Sequence, residues 1–221
     1  MRTLATLLDA VPDPSRPLLT YYDLSTGERV ELSGTTTANW VAKTSNFLVD
    51  DLDAGPGTRI RIGLPSHWLR TVWILSAWSV GAAVVDSAAD IGLSGPELGA
   101  TEPVRVASSM RPLGGRFISP PEGFLDLAAE VPGHGDHFVA PDPPEGQTLA
   151  TDLDGVRRTH AEILASVAPD GCRRLVEPGG LSRDTDLIVG ACRGGGSIVI
   201  VSSATPKEIS RVSEQEGARE G

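Results

Sequence analysis

Lysine is almost missing from this chain of 221 residues: of nineteen basic side chains only Lys43 and Lys207 are lysines. Chemistry that needs a lysine has two candidates. One lies inside an amphipathic helical run, the other just after Pro206, and neither stands in a glycine loop. Long apolar runs are missing too, since none approaches the roughly 18 to 20 residues that cross a bilayer. At the start, Asp9 interrupts Leu4, Leu7, Leu8 and Val11, and no small-residue cleavage site follows, so a first helix is expected instead of a signal peptide. Cysteine is scarce: Cys172 and Cys192 lack CxxC spacing or a histidine cluster, and are expected to be reduced thiols in a cytoplasmic protein. Excess positive charge is missing as well. A net charge of -10, spread along the chain, repels phosphate backbones and argues against a nucleic-acid ligand.

What is present is an ordinary globular balance, 40% hydrophobic and 22% charged. One compact unit over 1–216 is expected, with an internal linker at 141–146, where Pro141, Pro143, Pro144 and Gly146 interrupt regular structure, and a frayed tail at 217–221. Leu18 to Asp23 and Arg29 to Leu32 flank the turn-like Ser25-Thr26-Gly27-Glu28 and predict a hairpin. Helical spacing of Trp40, Val41, Phe47 and Leu48 predicts a helix from Thr35 to Leu52, stopped by Gly55-Pro56-Gly57. Arg59 to Leu64 alternates as a strand does. A helix through Trp68, Trp73 and Trp78 then ends at Gly81, and Ala82 to Val85 is a buried strand, which together give a right-handed parallel unit. The three tryptophans fall every fifth residue and so surround the helix, as in one buried between layers. Further on, strands are expected at Val104 to Ala107, His137 to Ala140 and Ser197 to Val201. Helices are expected at Gly123 to Glu130, Thr159 to Val167 and Pro206 to Glu216. The fold class is α/β, a layered, mostly parallel sheet with flanking helices.

The order of several segments carries a resemblance. Leu19-Thr20-Tyr21, the helix after it, Gly55-Pro56-Gly57-Thr58-Arg59-Ile60, Leu64-Pro65, Trp78 to Val85 and Gly194 to Ile200 resemble the N-terminal part of the AMP-binding, adenylate-forming enzymes related to acyl-CoA synthetases. The chain is most similar to their short actinobacterial relatives, with the same arginine-rich, lysine-poor composition. Gly155-Val156-Arg157-Arg158-Thr159-His160 resembles the Val-x-x-Thr-His that follows the family's phosphate loop, Thr-Gly-x-Pro-Lys-Gly. At the lysine position stands Asp154, and Leu149-Ala150-Thr151 replaces the glycines. A carboxylate there reverses the electrostatics of a triphosphate site. The remnant consists of Asp154, Gly155, Thr159 and His160, with the last two read as a helix start. The resemblance implies that the family's later segments, which position adenine, ribose and magnesium and bring a catalytic lysine, lie beyond this sequence.

Other constellations are weaker. Gly190 to Ser197 nearly has phosphate-loop spacing, but glycine replaces the lysine and a strand follows where a helix should, so a helix-to-strand turn is preferred. His134-Gly135-Asp136-His137 could clip a metal only with a further ligand, and a solvated turn is preferred; no metal is expected. Ser66 and Ser94 lack the glycines of a nucleophile elbow. The residues therefore favour a non-catalytic homologue of AMP-forming acyl-CoA synthetases that binds a protein partner, a second copy of itself or a ligand, with no catalytic residues and with ATP and AMP bound weakly or not at all. The alternative is an adenylating half-enzyme that needs a second polypeptide. An apolar surface bordered by Ile198 to Val201, Ile209 and Val212 is expected to be the interface.

Overall fold

The computed structural model describes residues 3–220. Its strands are β1 (Pro17–Asp23), β2 (Glu28–Ser33), β3 (Arg59–Gly63), β4 (Ala83–Val85), β5 (Ile91–Ser94), β6 (Val104–Ala107), β7 (Leu125–Asp126), β8 (Leu149–Leu153), β9 (Val156–Thr159), β10 (Arg173–Val176), β11 (Ser197–Ser202) and β12 (Arg219–Glu220). Between them lie α1 (Gly34–Asp50), α2 (Trp68–Val80), α3 (Leu127–Glu130), α4 (His160–Ser166), α5 (Leu181–Gly194) and α6 (Pro206–Glu216). They build two sheets. One has seven strands in the order β7-β6-β5-β3-β4-β8-β9, the other five in the order β12-β10-β11-β1-β2. All pairings are parallel except the hairpins β1–β2 and β8–β9.

The composition of α2 explains the layering. Every residue of this helix except Ser79 is buried, and it touches β3 and β4 of one sheet and β1 of the other. A helix apolar all round needs cover all round. Gly81 ends it at φ 83°, a left-handed position that glycine takes without side-chain penalty, and the chain turns at once into β4. The Trp78 indole N–H donates to the Ala150 carbonyl at 3.1 Å, tying α2 to β8 and so fixing the base of the second hairpin.

β11, apolar from Ile198 to Val201, is central in its sheet and covered on both faces. Ile198 and Ile200 face the main core, whereas Val199 and Val201 meet Ile209 and Val212 of α6 in a second cluster with Tyr22 and Leu175. This overturns the expectation that these residues border a bare surface: α6 is the cover that a strand without a polar face requires. Large exposed hydrophobic side chains are Ile118, Val139 and Val156, well apart in sequence.

Several local expectations also change. The first segment, Leu4–Ala10, is a 3-10 helix with Leu4 and Leu7 buried. His137 to Ala140 forms no strand, and Gly123 to Glu130 contains only the short β7 and the one-turn α3. Residues 141–146 have no helix or strand, though Pro144 is buried. The tail is not frayed throughout, since Arg219 and Glu220 pair with Arg174 and Leu175 of β10; Gly221 lies outside the described residues.

Candidate functional site: a closed hairpin where a phosphate loop is expected

β8 and β9 pair down to Leu153 opposite Val156, so Asp154 and Gly155 are the whole connection. Both have positive φ, 54° and 74°, as a two-residue hairpin turn of the primed type demands. Asp and Gly are the residues that tolerate those angles best. A phosphate cradle needs a longer glycine-rich loop whose N–H groups converge on the anion. Here the chain closes before such a loop can form.

The turn's polar groups are already engaged. Asp154 N donates to Asp86 Oδ2 at 2.9 Å, and Ser182 Oγ donates to Asp154 Oδ2 at 2.6 Å. Asp152 pairs with Arg59 at 3.1 Å. Between the hairpin and the first turns of α5 is a hollow of about 260 Å³ lined in part by Thr151, Asp154, Arg158, Ser182 and Asp186. The Arg158 guanidinium lies 2.8 Å from Asp186, so the one cation among these five is held by a carboxylate. An anion entering here meets Asp154 and Asp186. Repulsion between unit charges 4 Å apart is about 1 kcal/mol in water and about 4 kcal/mol near a protein surface.

Thr159 and His160 serve the fold at this site. Thr159 caps α4, its hydroxyl accepting from Glu162 N at 3.2 Å while the Glu162 carboxylate accepts from Thr159 N at 2.8 Å, a reciprocal capping box. Those bonds hold the Glu162 carboxyl below its usual range. His160 is wholly buried, and its Nδ1 accepts from Leu4 N at 3.1 Å. Burial pushes its pKa down to about 4, so the ring is neutral at pH 7, with Nε2 as the protonated nitrogen. It fastens the first segment of the chain onto α4.

The two lysines are elsewhere. Lys43 Nζ donates to the His134 carbonyl at 2.5 Å, and Lys207 lines a shallow surface hollow beside Glu208 and Arg211. His134 Nε2 lies 3.1 Å from Asp51, and His137 is exposed. Among the described residues, no three His, Cys, Asp or Glu side chains converge as metal ligands. Gly194 and Gly196 belong to the α5–β11 turn: a Cβ on either would lie within 3.0 Å of the Asp170 backbone. The sequence reading missed Asp86, Ser182 and Asp186, which hold the hairpin from 28 to 68 residues away. No local pattern marks them.

The paired sheets with helices between them and the hairpin before α4 define the class: the N-terminal part of an acyl-CoA-synthetase-like, adenylate-forming fold. An acyl-CoA synthetase from Brucella canis matches 98% of the chain with a TM-score of 0.79 at 16% identity. Acetoacetyl-CoA synthetase from Streptomyces lividans matches 98% with a TM-score of 0.77 at 17% identity. The N-terminal domain of FACL13 from Mycobacterium tuberculosis matches 99% with a TM-score of 0.71 at 15% identity. The chain spans 46%, 41% and 62% of these three structures, and identities this low establish the fold alone. No family model matches the sequence. A "TIGR03089 family protein" of Mycobacterium tuberculosis (strain ATCC 25618 / H37Rv) is 33% identical over 214 residues, covering 90% of this chain and 88% of the relative. The chain belongs to the TIGR03089 family.

Proposed function

We propose that this protein is a non-catalytic member of the acyl-CoA-synthetase-like group that acts by binding a protein partner or ligand. The observation that carries this reading is the hairpin: Asp154 and Gly155 close in two residues the connection where a phosphate loop would have to open, and Asp154 is tied to Ser182 of α5. Adenylate formation depends on positioned donors and cations around the phosphates. This hairpin offers a carboxylate in their place. ATP and AMP accordingly bind weakly or not at all. Two free cysteines, with the Cys192 thiol buried and pushed up to about 12, fit a reducing, cytoplasmic setting.

ATP–pyrophosphate exchange across a panel of carboxylic acids tests the proposal. The expected result is no exchange above background by the purified chain, and robust exchange would overturn it. Exchange that appears only with a second polypeptide would instead support an adenylating half-enzyme.

A further inference from the structure

A second cleft, of about 340 Å³, lies where strands of both sheets end. β1 and β11 run parallel and reach it with Asp23 and Ser202, and the loops leaving β3, β5 and β6 bring His67, Glu97 and Met110. The carboxyl ends of parallel strands are where open α/β sheets bind ligands. The non-glycine residues Leu98, Met110 and Ser203, with φ of 54°, 53° and 56°, sit in these same loops.

The lining has a definite chemistry. Asp23, Glu28 and Glu97 contribute carboxylates, and no lysine or arginine is among the lining residues. The rings of Tyr21 and His67, 4.3 Å apart and edge to face, form an aromatic wall, and Met110 and Pro112 add apolar surface. His67 supplies the telling group. It is 3% exposed, and its Nδ1 caps α2 by accepting from Leu69 N at 3.1 Å. That bond fixes the tautomer, because a nitrogen that accepts cannot also carry the hydrogen. The hydrogen therefore sits on Nε2, which makes no hydrogen bond to the described residues and is not sealed from solvent, on a residue that lines the cleft. A donor left free at the wall of a cleft is open to an oxygen acceptor carried by a ligand.

We propose that this cleft binds a small organic amine that also carries an oxygen acceptor, its ammonium held by Asp23 and Glu97 and its oxygen by His67 Nε2–H. The apolar walls exclude water from the body of the ligand and strengthen both contacts. This goes beyond the non-catalytic reading and stands or falls separately from the exchange assay.

Tyramine is the probe, with 4-ethylphenol lacking the amine, 4-hydroxyphenylacetate reversing its charge and phenethylamine lacking the oxygen. Calorimetry should rank tyramine at least tenfold above the neutral and anionic analogues and several-fold above phenethylamine. Added salt should weaken it, as for any partly exposed charge pair. The His67 imidazole resonances should shift on saturation. Asp23→Asn with Glu97→Gln keeps the oxygens that accept from Ser25 and Gly95 while removing both charges, and should reduce affinity at least tenfold. Equal affinity for 4-ethylphenol, unmoved His67 resonances, unchanged binding by the double variant or no tyramine binding would each overturn the proposal. If the double variant does not fold, the analogue series on the unmodified protein decides.

Discussion

Two glycine-bearing turns of this protein both look like phosphate loops in sequence, and the structure uses them in opposite ways. At Gly194 to Gly196 the glycines are required by space. The turn passes so close to Asp170 and Cys172 that a Cβ would collide with their backbone, and Gly195 closes α5 at φ 74°. At Asp154–Gly155 the requirement is angular, because a Cβ on Gly155 would meet nothing within 4 Å and only its φ of 74° constrains it. Each glycine pattern has a reason in the backbone itself. One reports crowding and the other a tight reversal.

The comparison breaks most visibly at Gly194. Gly194→Ala should destabilise by about 3 kcal/mol or more, since the obstacle is backbone and cannot rotate away. Denaturant unfolding checks this, and a variant as stable as the parent would mean that the close approach to Asp170 is wrong.

A comparably large effect is expected from acid, through the two buried histidines, His67 and His160. Folding lowers the pKa of both His67 and His160 from 6.5 to about 4, through burial. The unfolded chain therefore binds more protons between those values, and stability rises with pH there. The contribution is complete above pH 6.5 and is lost as pH falls towards 4. At 1.36 kcal/mol per unit, it amounts to about 3 kcal/mol for each histidine. Unfolding midpoints measured from pH 7 to 4 should fall more steeply for the parent than for His160→Gln; equal slopes would refute the buried neutral ring.

Much of the fold was legible because its signals are local. The β1–β2 hairpin, α1, the β3–α2–β4 unit, β11 and α6 announce themselves by alternation, helical spacing and glycine stops. β5 was not legible: Ile91-Gly92-Leu93-Ser94 is wholly buried yet only four residues long, with a glycine inside, so no period shows. α5 opens with Leu181-Ser182-Arg183-Asp184, a polar stretch whose meaning depends on what packs there; Asp184 pairs with buried Arg70 on α2, 114 residues earlier. The terminal strand Arg219–Glu220 is legible only once β10 stands beside it. At the site, Asp154 at the position of the family's loop lysine is what the resemblance in sequence implies. The two-residue turn was missed there although Asp154-Gly155 is a strong local hairpin signal, because these residues were read against the phosphate-loop pattern.

A smaller effect sharpens the contrast between the turns. Gly155→Ala should cost about 1 to 2 kcal/mol, from the left-handed backbone only, and Gly155→Asn less, because Asn enters that region more readily. If Gly155→Ala proved as damaging as Gly194→Ala, the distinction between angle and space would fail.

The smallest change concerns Asp154 itself. Asp154→Lys restores the charge expected of a phosphate-loop lysine, yet it leaves the connection two residues long, with no glycine cradle around it. It also removes the acceptor of Ser182 Oγ and places a long side chain at φ 54°. Each loss is modest, because Asp154 is exposed and hydrogen bonds at such sites are worth little after exchange with water. A destabilisation of about 0.5 to 1 kcal/mol is expected, with no ATP–pyrophosphate exchange. The affinity for ATP should rise at most a few-fold, since one exposed charge pair is worth under about 1 kcal/mol. Detectable adenylate formation by this variant would show that geometry at the hairpin is not what limits the chemistry, and would leave the charge of Asp154 as the sole barrier.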